Sequence, residues 1–317
     1  MGKTDLEWEN RIGRRLKLRD LHILSVAVDR GSMSKAASHL AMSQAAVSEA
    51  IANLEAMVRV RLLDRFARGI VPTIYGSALL KRSGVVFDEL RQGLRDIEYL
   101  QNPSVGEVRV ACSDLFAAGL LPAAIDRLSR RFPDIVVRVT QADVTTLEFR
   151  ELRERTVDLV VARTYELVQN SDLQVQVLGH DRHFVVAGAK SPWARRRKVS
   201  LTELIDERWI FPATQVIRTL IGDAFLRHGL KAPQERVSAS SILLRSKLLA
   251  TGRFLDVLPD SLLLYNPQWS LKALPVDLGV APRSIAMVTL ENRTLSPVVQ
   301  VFIEHLRATA RSMLRKV

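Results

Sequence analysis

Few side chains in this sequence are spaced for bond-making chemistry. His180 and His183 stand three residues apart beside Asp181, a spacing that can hold a metal when one element carries both imidazoles. Here they straddle a predicted loop-to-strand boundary, so no metal site is expected. Cys112 is the only cysteine and has no motif partner beside Ser113. It reads as a packing residue at the edge of a cleft, with a redox role as the alternative. Neither a GxSxG nucleophile elbow nor a phosphate-binding GxxxxGK[ST] loop occurs. The expectation is a protein without catalytic residues, metal or cofactor, and so not an enzyme. The remaining polar chemistry suits recognition. Gln44, Ser48, Glu49 and Asn53 fall on one side of a predicted helix, and Arg65 and Arg68 flank a short hairpin a few residues later.

The elements that must position these groups follow from hydrophobic spacing. Leu18, Leu21, Leu24 and Val28 give a first helix closed at Arg30-Gly31. Ser32 can cap a second helix, Met33 to Leu40, whose Ala36-Ala37 pair lets a neighbour approach closely. Ser43 is a good N-cap for a third, from Gln44 to about Val58. There Val47, Ile51, Leu54 and Val58 form one buried face, leaving the polar residues to face outward. Two short helices joined tightly, the second with a polar face, match a helix-turn-helix. A plain helical subdomain is the alternative. Arg65 to Thr73 then reads as a hairpin whose arginines suit phosphates or a narrow minor groove.

From Leu21 to Leu80 the chain resembles the N-terminal domain of LysR-type transcriptional regulators. The resemblance is carried by Gly31-Ser32-Met33-Ser34, Ala36-Ala37, Leu40, Ser43-Gln44, Ala46-Val47-Ser48, Ile51, Leu54-Glu55, Leu62, Arg65, Pro72-Thr73 and Gly76. Three positions depart from the family pattern: Ala45 for a usual Pro, Arg59 for a usual Gly, and Leu63 for a usual Phe. If position 59 needs a positive φ, its arginine carries strain there. The resemblance implies that Gln44, Ala45, Ser48 and Glu49 meet base edges, with Ser43 at the helix start. An amide at Gln44 suits adenine, a methyl at Ala45 suits thymine, and a carboxylate at Glu49 either accepts from cytosine or stays in solvent. Ser34, Lys35, Arg65, Arg68 and Thr73 fit phosphate or minor-groove contacts.

Residues 77–102 are expected to form a linker helix. Phe87, Leu90, Leu94 and Ile97 follow 3-4-3 spacing on an otherwise charged helix of about 37 Å. Such a seam packs on its own chain or on a second copy, and the resemblance implies the second. Two heads would then read an interrupted two-fold operator in double-stranded DNA, with half-sites about 34 Å or a multiple apart. Asn102-Pro103-Ser104 marks a boundary.

Beyond it, strand-like runs at Glu107–Ala111, Ile135–Thr140, Asp158–Ala162, His183–Ala187, Trp209–Phe211, Leu255–Leu258 and Ile285–Leu290 alternate with amphipathic stretches. That alternation predicts an α/β domain with mostly parallel sheet covered on both faces. Residues 105–317 resemble the family's effector domain, a two-lobed, periplasmic-binding-protein-like fold, through Gly106 to Cys112, Leu120-Leu121-Pro122, Arg131-Phe132-Pro133, Val157-Asp158-Leu159, Ser191-Pro192-Trp193-Ala194, Leu201 to Leu204 and Gly252 through Pro259. Lobe I is expected at about 105–180 and 281–317, and lobe II at about 181–280. Trp193 to Lys198, Thr251 to Phe254 and Asn292 to Pro297 bring the chain close to the galactose-binding-protein-regulator subgroup. Ligands sit at the C-terminal ends of strands in open α/β sheets. That rule picks out Ser113, Asp114, Thr145, Thr146, Arg163, Thr164, Phe211, Pro212 and Ser240. Arg163 is either a ligand anchor or one half of a salt bridge between lobes.

Bulk charge is less informative. The formal net charge is +12, with 46 Lys and Arg against 34 Asp and Glu over 317 residues. Residues 1–104 carry 16 basic and 12 acidic side chains, so most of the excess lies outside the predicted DNA-binding head at 16–76. The informative cluster runs from Arg59 to Arg82, and Arg195 to Lys198 form a second basic run. No apolar stretch is long enough to span a membrane and no signal peptide is evident, which points to a cytoplasmic protein. The reading is a LysR-type transcription factor answering to a small-molecule effector, a sugar or organic acid, as a homodimer or a homotetrameric dimer of dimers. RNA polymerase is a further partner in that reading. A two-lobed solute-binding protein without DNA function is the alternative.

Overall fold

A computed structural model of the chain describes residues 15–66, 69–142, 149–164, 172–213 and 215–314. The chain divides into two compact units, one ending at Arg91 and the other starting at Gln92.

The first unit is built on helices α1 (Leu18–Arg30), α2 (Met33–His39) and α3 (Gln44–Val58). Their apolar faces meet at Leu21, Leu24, Ala36, Val47, Ile51 and Leu54, all buried. Ser43 caps α3 by accepting a hydrogen bond from the Ala46 N–H at 3.1 Å. Ser32 precedes α2 in an extended conformation without a side-chain cap bond. α3 stops at Arg59, whose φ of 60° and ψ of 28° lie in the left-handed region. Strands β1 (Leu63–Phe66) and β2 (Gly69–Pro72) form an antiparallel hairpin. Glu55 anchors it from α3, its Oε1 accepting from the Leu62 and Leu63 N–H groups at 2.7 and 3.2 Å. Helix α4 (Ile74–Gln101) follows. A Cβ on Gly76 would lie 2.0 Å from the Leu62 carbonyl oxygen, so only glycine lets the first turn of α4 approach the chain just before β1.

The second unit holds two five-stranded sheets. The first has the order β4-β3-β5-β12-β6, from β3 (Gly106–Cys112), β4 (Ile135–Gln141), β5 (Leu159–Thr164), β6 (Leu173–Asp181) and β12 (Arg283–Leu290). Helices α6 (Leu120–Ser129) and α12 (Pro297–Met313) cover one face, burying Val110, Leu121, Leu128, Phe302 and Leu306. Short α7 (Arg150–Arg153) covers the other with Leu152. Buried Asp158 fixes the start of β5, accepting from the Arg109 N–H at 2.8 Å and from the guanidinium groups of Arg109 and Arg293 at 2.7 and 3.0 Å. The second sheet has the order β11-β7-β10-β8-β9, from β7 (His183–Gly188), β8 (Trp209–Phe211), β9 (Glu235–Ser238), β10 (Leu255–Pro259) and β11 (Leu271–Ala273). Helix α9 (Gln215–Arg227) covers one face, where Trp209 meets Phe225 edge-on at 5.5 Å. Helices α10 (Ile242–Ala250) and α11 (Asp260–Tyr265) cover the other through Ile242, Leu249 and Leu262.

Three expectations are corrected here. The sheets are mixed rather than mostly parallel: β12 runs antiparallel to β5 and β6, and β7 runs antiparallel to β10 and β11. The cause is the crossing of the chain between sheets after β6 and again before β12, which brings strands in from the opposite end. Arg163 lies within β5 rather than beyond it. His180 ends up on β6 and His183 on β7, two strands of different sheets, rather than across a loop-to-strand boundary.

Candidate nucleic-acid interface and ligand cavity

In α3 the residues Val47, Ala50, Ile51 and Leu54 turn inward. Gln44, Ala45 and Glu49 are exposed and Ser48 is half-buried, so the i, i+1, i+4, i+5 set shares one outward face. Ser34 and Lys35, in the first turn of α2, are exposed as well. The Ser43 hydroxyl accepts the cap bond and keeps its proton for another acceptor. Arg65 is exposed on β1, opposite Ile70. Arg68 lies outside the described residues. Thr73 needs correction as a phosphate contact. Its hydroxyl donates to the Arg61 carbonyl at 2.8 Å and accepts from the Gly76 N–H at 3.0 Å, so its proton is spent on holding the hairpin to α4.

In the second unit a cavity of about 870 Å³ opens between the sheets. Ser113, Asp114, Arg163, Pro212 and Ser240 line it. Phe211 is buried at the end of β8, with the Arg218 guanidinium over its ring at 5.4 Å. Thr164 ends β5 opposite Ser284, and Thr145 and Thr146 lie outside the described residues. Strand-end reasoning missed Gln141, at the end of β4, though the same rule would have found it. It also missed His183, Ser241 and Arg245, which line the cavity from β7 and α10. A lone histidine, serine or arginine in the sequence gives no sign of facing a cleft.

The polar groups are organised in pairs. Asp114 crosses between lobes: Oδ2 accepts from the Ile242 N–H at 2.5 Å, at the start of α10, and Oδ1 accepts from Gln141 Nε2 at 2.9 Å. Arg163 donates to Asp181 Oδ2 at 2.9 Å and sits over the Phe116 ring at 5.5 Å. Asp181 also accepts from the Ser261 N–H and hydroxyl, at 3.2 and 2.6 Å, joining the end of β6 to α11. Arg163 is therefore half of a salt bridge, but within its own sheet rather than between lobes, and the link to the other lobe runs through Ser261; its Nε has no partner among the described residues. Arg245 forms a buried fork with Asp256, both bonds at 2.8 Å. His183 is 8% exposed, and among the described residues neither ring nitrogen has a partner. Burial, then the nearby Arg163 and Arg283 charges, hold its pKa well below the usual imidazole value, so the ring is neutral. Burial and the Asp114 charge push the fully buried Cys112 thiol up to about 12. It stays protonated at neutral pH, which disfavours thiolate redox chemistry.

A winged three-helix head and a two-lobed ligand domain in one chain are the family pattern. Residues 18–77 match the model of the bacterial regulatory helix-turn-helix protein, lysR family, and residues 101–311 match the LysR substrate binding domain. The chain belongs to the LysR family. Its relatives include the HTH-type transcriptional regulator GbpR of Rhizobium radiobacter, 28% identical over 232 residues that cover 72% of this chain and 76% of the relative. Another is YfeR of Shigella flexneri, 28% identical over 94% of this chain and 95% of the relative. Among solved structures, full-length CbnR in complex with its target DNA shares the fold, with a TM-score of 0.62 at 18% identity over 93% of this chain and 100% of that one. This LysR regulator is thus a transcription factor with an effector-binding domain, in a family of regulators rather than enzymes. Among the described residues, no helix is long and apolar enough to cross a membrane, and no group of three or more His, Cys, Asp or Glu could hold a metal.

Proposed function

We propose that this regulator reads an interrupted two-fold operator through α3, pairs through α4, and answers to a small molecule in the cavity between its lobes. The observation that carries the reading is the outward face of α3, where Gln44, Ala45, Ser48 and Glu49 stand opposite a fully buried apolar face. In this assignment Gln44, Ala45, Ser48 and Glu49 meet base edges, and Ser34, Lys35, Ser43, Arg65 and Arg68 meet phosphates. Thr73 fixes the hairpin. Residues 16–76 form the head, 77–102 the linker helix and 105–317 the effector domain. The exposed Leu90, Leu94 and Ile97 of α4 support pairing, since a bare apolar seam is costly in water. Two such pairs would form a tetramer acting on DNA in the cytoplasm, with RNA polymerase as the downstream partner. Ser113, Asp114, Arg163, Pro212 and Ser240 are the effector contacts this reading favours.

Footprinting upstream of the protein's own gene, with and without a low-molecular-weight cell extract, tests the scheme. Sequence-specific protection altered by the extract is expected. Absence of protection at low salt would sink it. Gln44→Ala should relax base preference at one position, worth about 1–3 kcal/mol of discrimination. Arg68→Ala should weaken all sequences alike.

A further inference from the structure

We propose that the cavity takes an uncharged, polyhydroxylated molecule, an aldose or polyol, because the chain's own carboxylates already fill the positions that would hold an anion. The inference rests on the effector reading above and deepens it.

An anionic ligand is held best by an uncompensated cation or an open helix N-terminus. Among the described lining residues both guanidinium groups carry a carboxylate partner, Arg163 in Asp181 at 2.9 Å and Arg245 in Asp256 through two bonds of 2.8 Å. The start of α10 is matched too, because the Ile242 N–H donates to Asp114. Asp114 stands where a ligand carboxylate would stand. With the two Arg–Asp pairs cancelling, Asp114 leaves the described lining residues with an excess negative charge, which repels a second carboxylate. That charge does not call for a cation either, since its two oxygens are engaged by the Ile242 N–H and by Gln141.

What remains unused is one guanidinium N–H and a set of neutral groups that both donate and accept. The His183 ring, more than nine-tenths buried against the cavity, offers one donor and one acceptor, and no described residue partners either nitrogen. Arg163 Nε offers a donor beside it. The Ser113 and Ser240 hydroxyls, on opposite lobes, can give or take. A set that both donates and accepts suits ligand hydroxyls, which do the same. Leu115 and Leu243 supply apolar surface for the C–H face of a sugar ring.

The test uses the full-length protein. Calorimetric titration against pentoses, hexoses, deoxyhexoses and hexitols is run beside each compound's uronic or aldonic acid and its amino counterpart. At least one neutral compound is expected to bind ten-fold or more tightly than its matched acid and amine. Asp114→Asn should narrow the preference over the acid about ten-fold, and Ser240→Trp, which fills the cavity, should abolish binding. An acid or amine that binds as tightly as its neutral parent overturns the proposal, as does binding retained by Ser240→Trp or a panel in which no neutral compound binds. If cell extract alters the footprint while every neutral compound fails, only this inference falls. If extract leaves the footprint unaltered, the effector reading itself falls.

Discussion

Arg59 occupies the left-handed position where α3 ends, with a φ of 60°. A side chain there costs roughly 1 kcal/mol, because its Cβ crowds the following carbonyl. Arg59→Gly should therefore stabilise the head by about 1 kcal/mol in urea unfolding. Loss of stability would mean that the arginine makes a contact worth more than its strain. The usual glycine made this position suspect in the sequence, and the backbone bears that out. His183 gives a second residue-scale prediction. Its folded pKa is depressed below 6.5, so the unfolded chain binds the proton more readily on the acid side. Stability is then fully present above pH 6.5 and is lost as pH falls through that value. Melting temperatures from pH 8 to 5 should decline less for His183→Gln than for the parent. Equal decline in both would show that His183 is not the titrating group.

At the scale of elements, α4 invites the sharpest test. Leu90, Leu94, Ile97 and Leu100 are 47%, 62%, 53% and 78% exposed along one helix. Leu94→Glu with Ile97→Glu should convert the assembly to monomers in sedimentation while leaving helical circular dichroism intact. An unchanged sedimentation coefficient would move the pairing surface elsewhere. The sequence was most readable where periodicity was long. α3 begins at Gln44 and ends at Val58 as its 3.6-residue pattern predicts, and β8 spans the expected Trp209–Phe211. Short strands without an apolar run were not readable. β9 (Glu-Arg-Val-Ser) and β11 (Leu-Lys-Ala) carry too few apolar residues to show a period, and they exist because a neighbouring strand offers its edge. β6 was readable in principle, since Leu173, Val175 and Val177 alternate with glutamines. Strand direction was hidden, because no local pattern records that the chain crosses from one sheet to the other and back. Likewise the strand-end rule found Ser113, Asp114, Arg163, Pro212 and Ser240, whereas His183 and Arg245 reach the cavity only through tertiary packing.

At the scale of the molecule, the cores of the two units are separate sets of side chains. Calorimetry should resolve two unfolding transitions, and a saturating effector should raise only the one belonging to the ligand domain. A hundred-fold excess over Kd is worth about 2.7 kcal/mol there. A single transition that moves as a whole with ligand would show that the units unfold as one. The net charge of +12 fits this division, since only part of it lies on the head and the rest surrounds a domain whose cleft pairs its own cations.

Asp181 has a mechanical consequence. A chain that passes twice between two bodies lets them turn only about the line joining those passages. One passage, from Asp181 to His183, is pinned, because Asp181 is held from one side by Arg163 and from the other by Ser261. The other, from 274 to 282, has no helix or strand to stiffen it. Torsional freedom is therefore unequal at the two pivots. Any turn of one lobe against the other would meet a stiff pivot at Asp181 and a compliant one at 274–282, and would have to release the Asp114–Ile242 and Asn266–Ala118 bonds that also join the lobes.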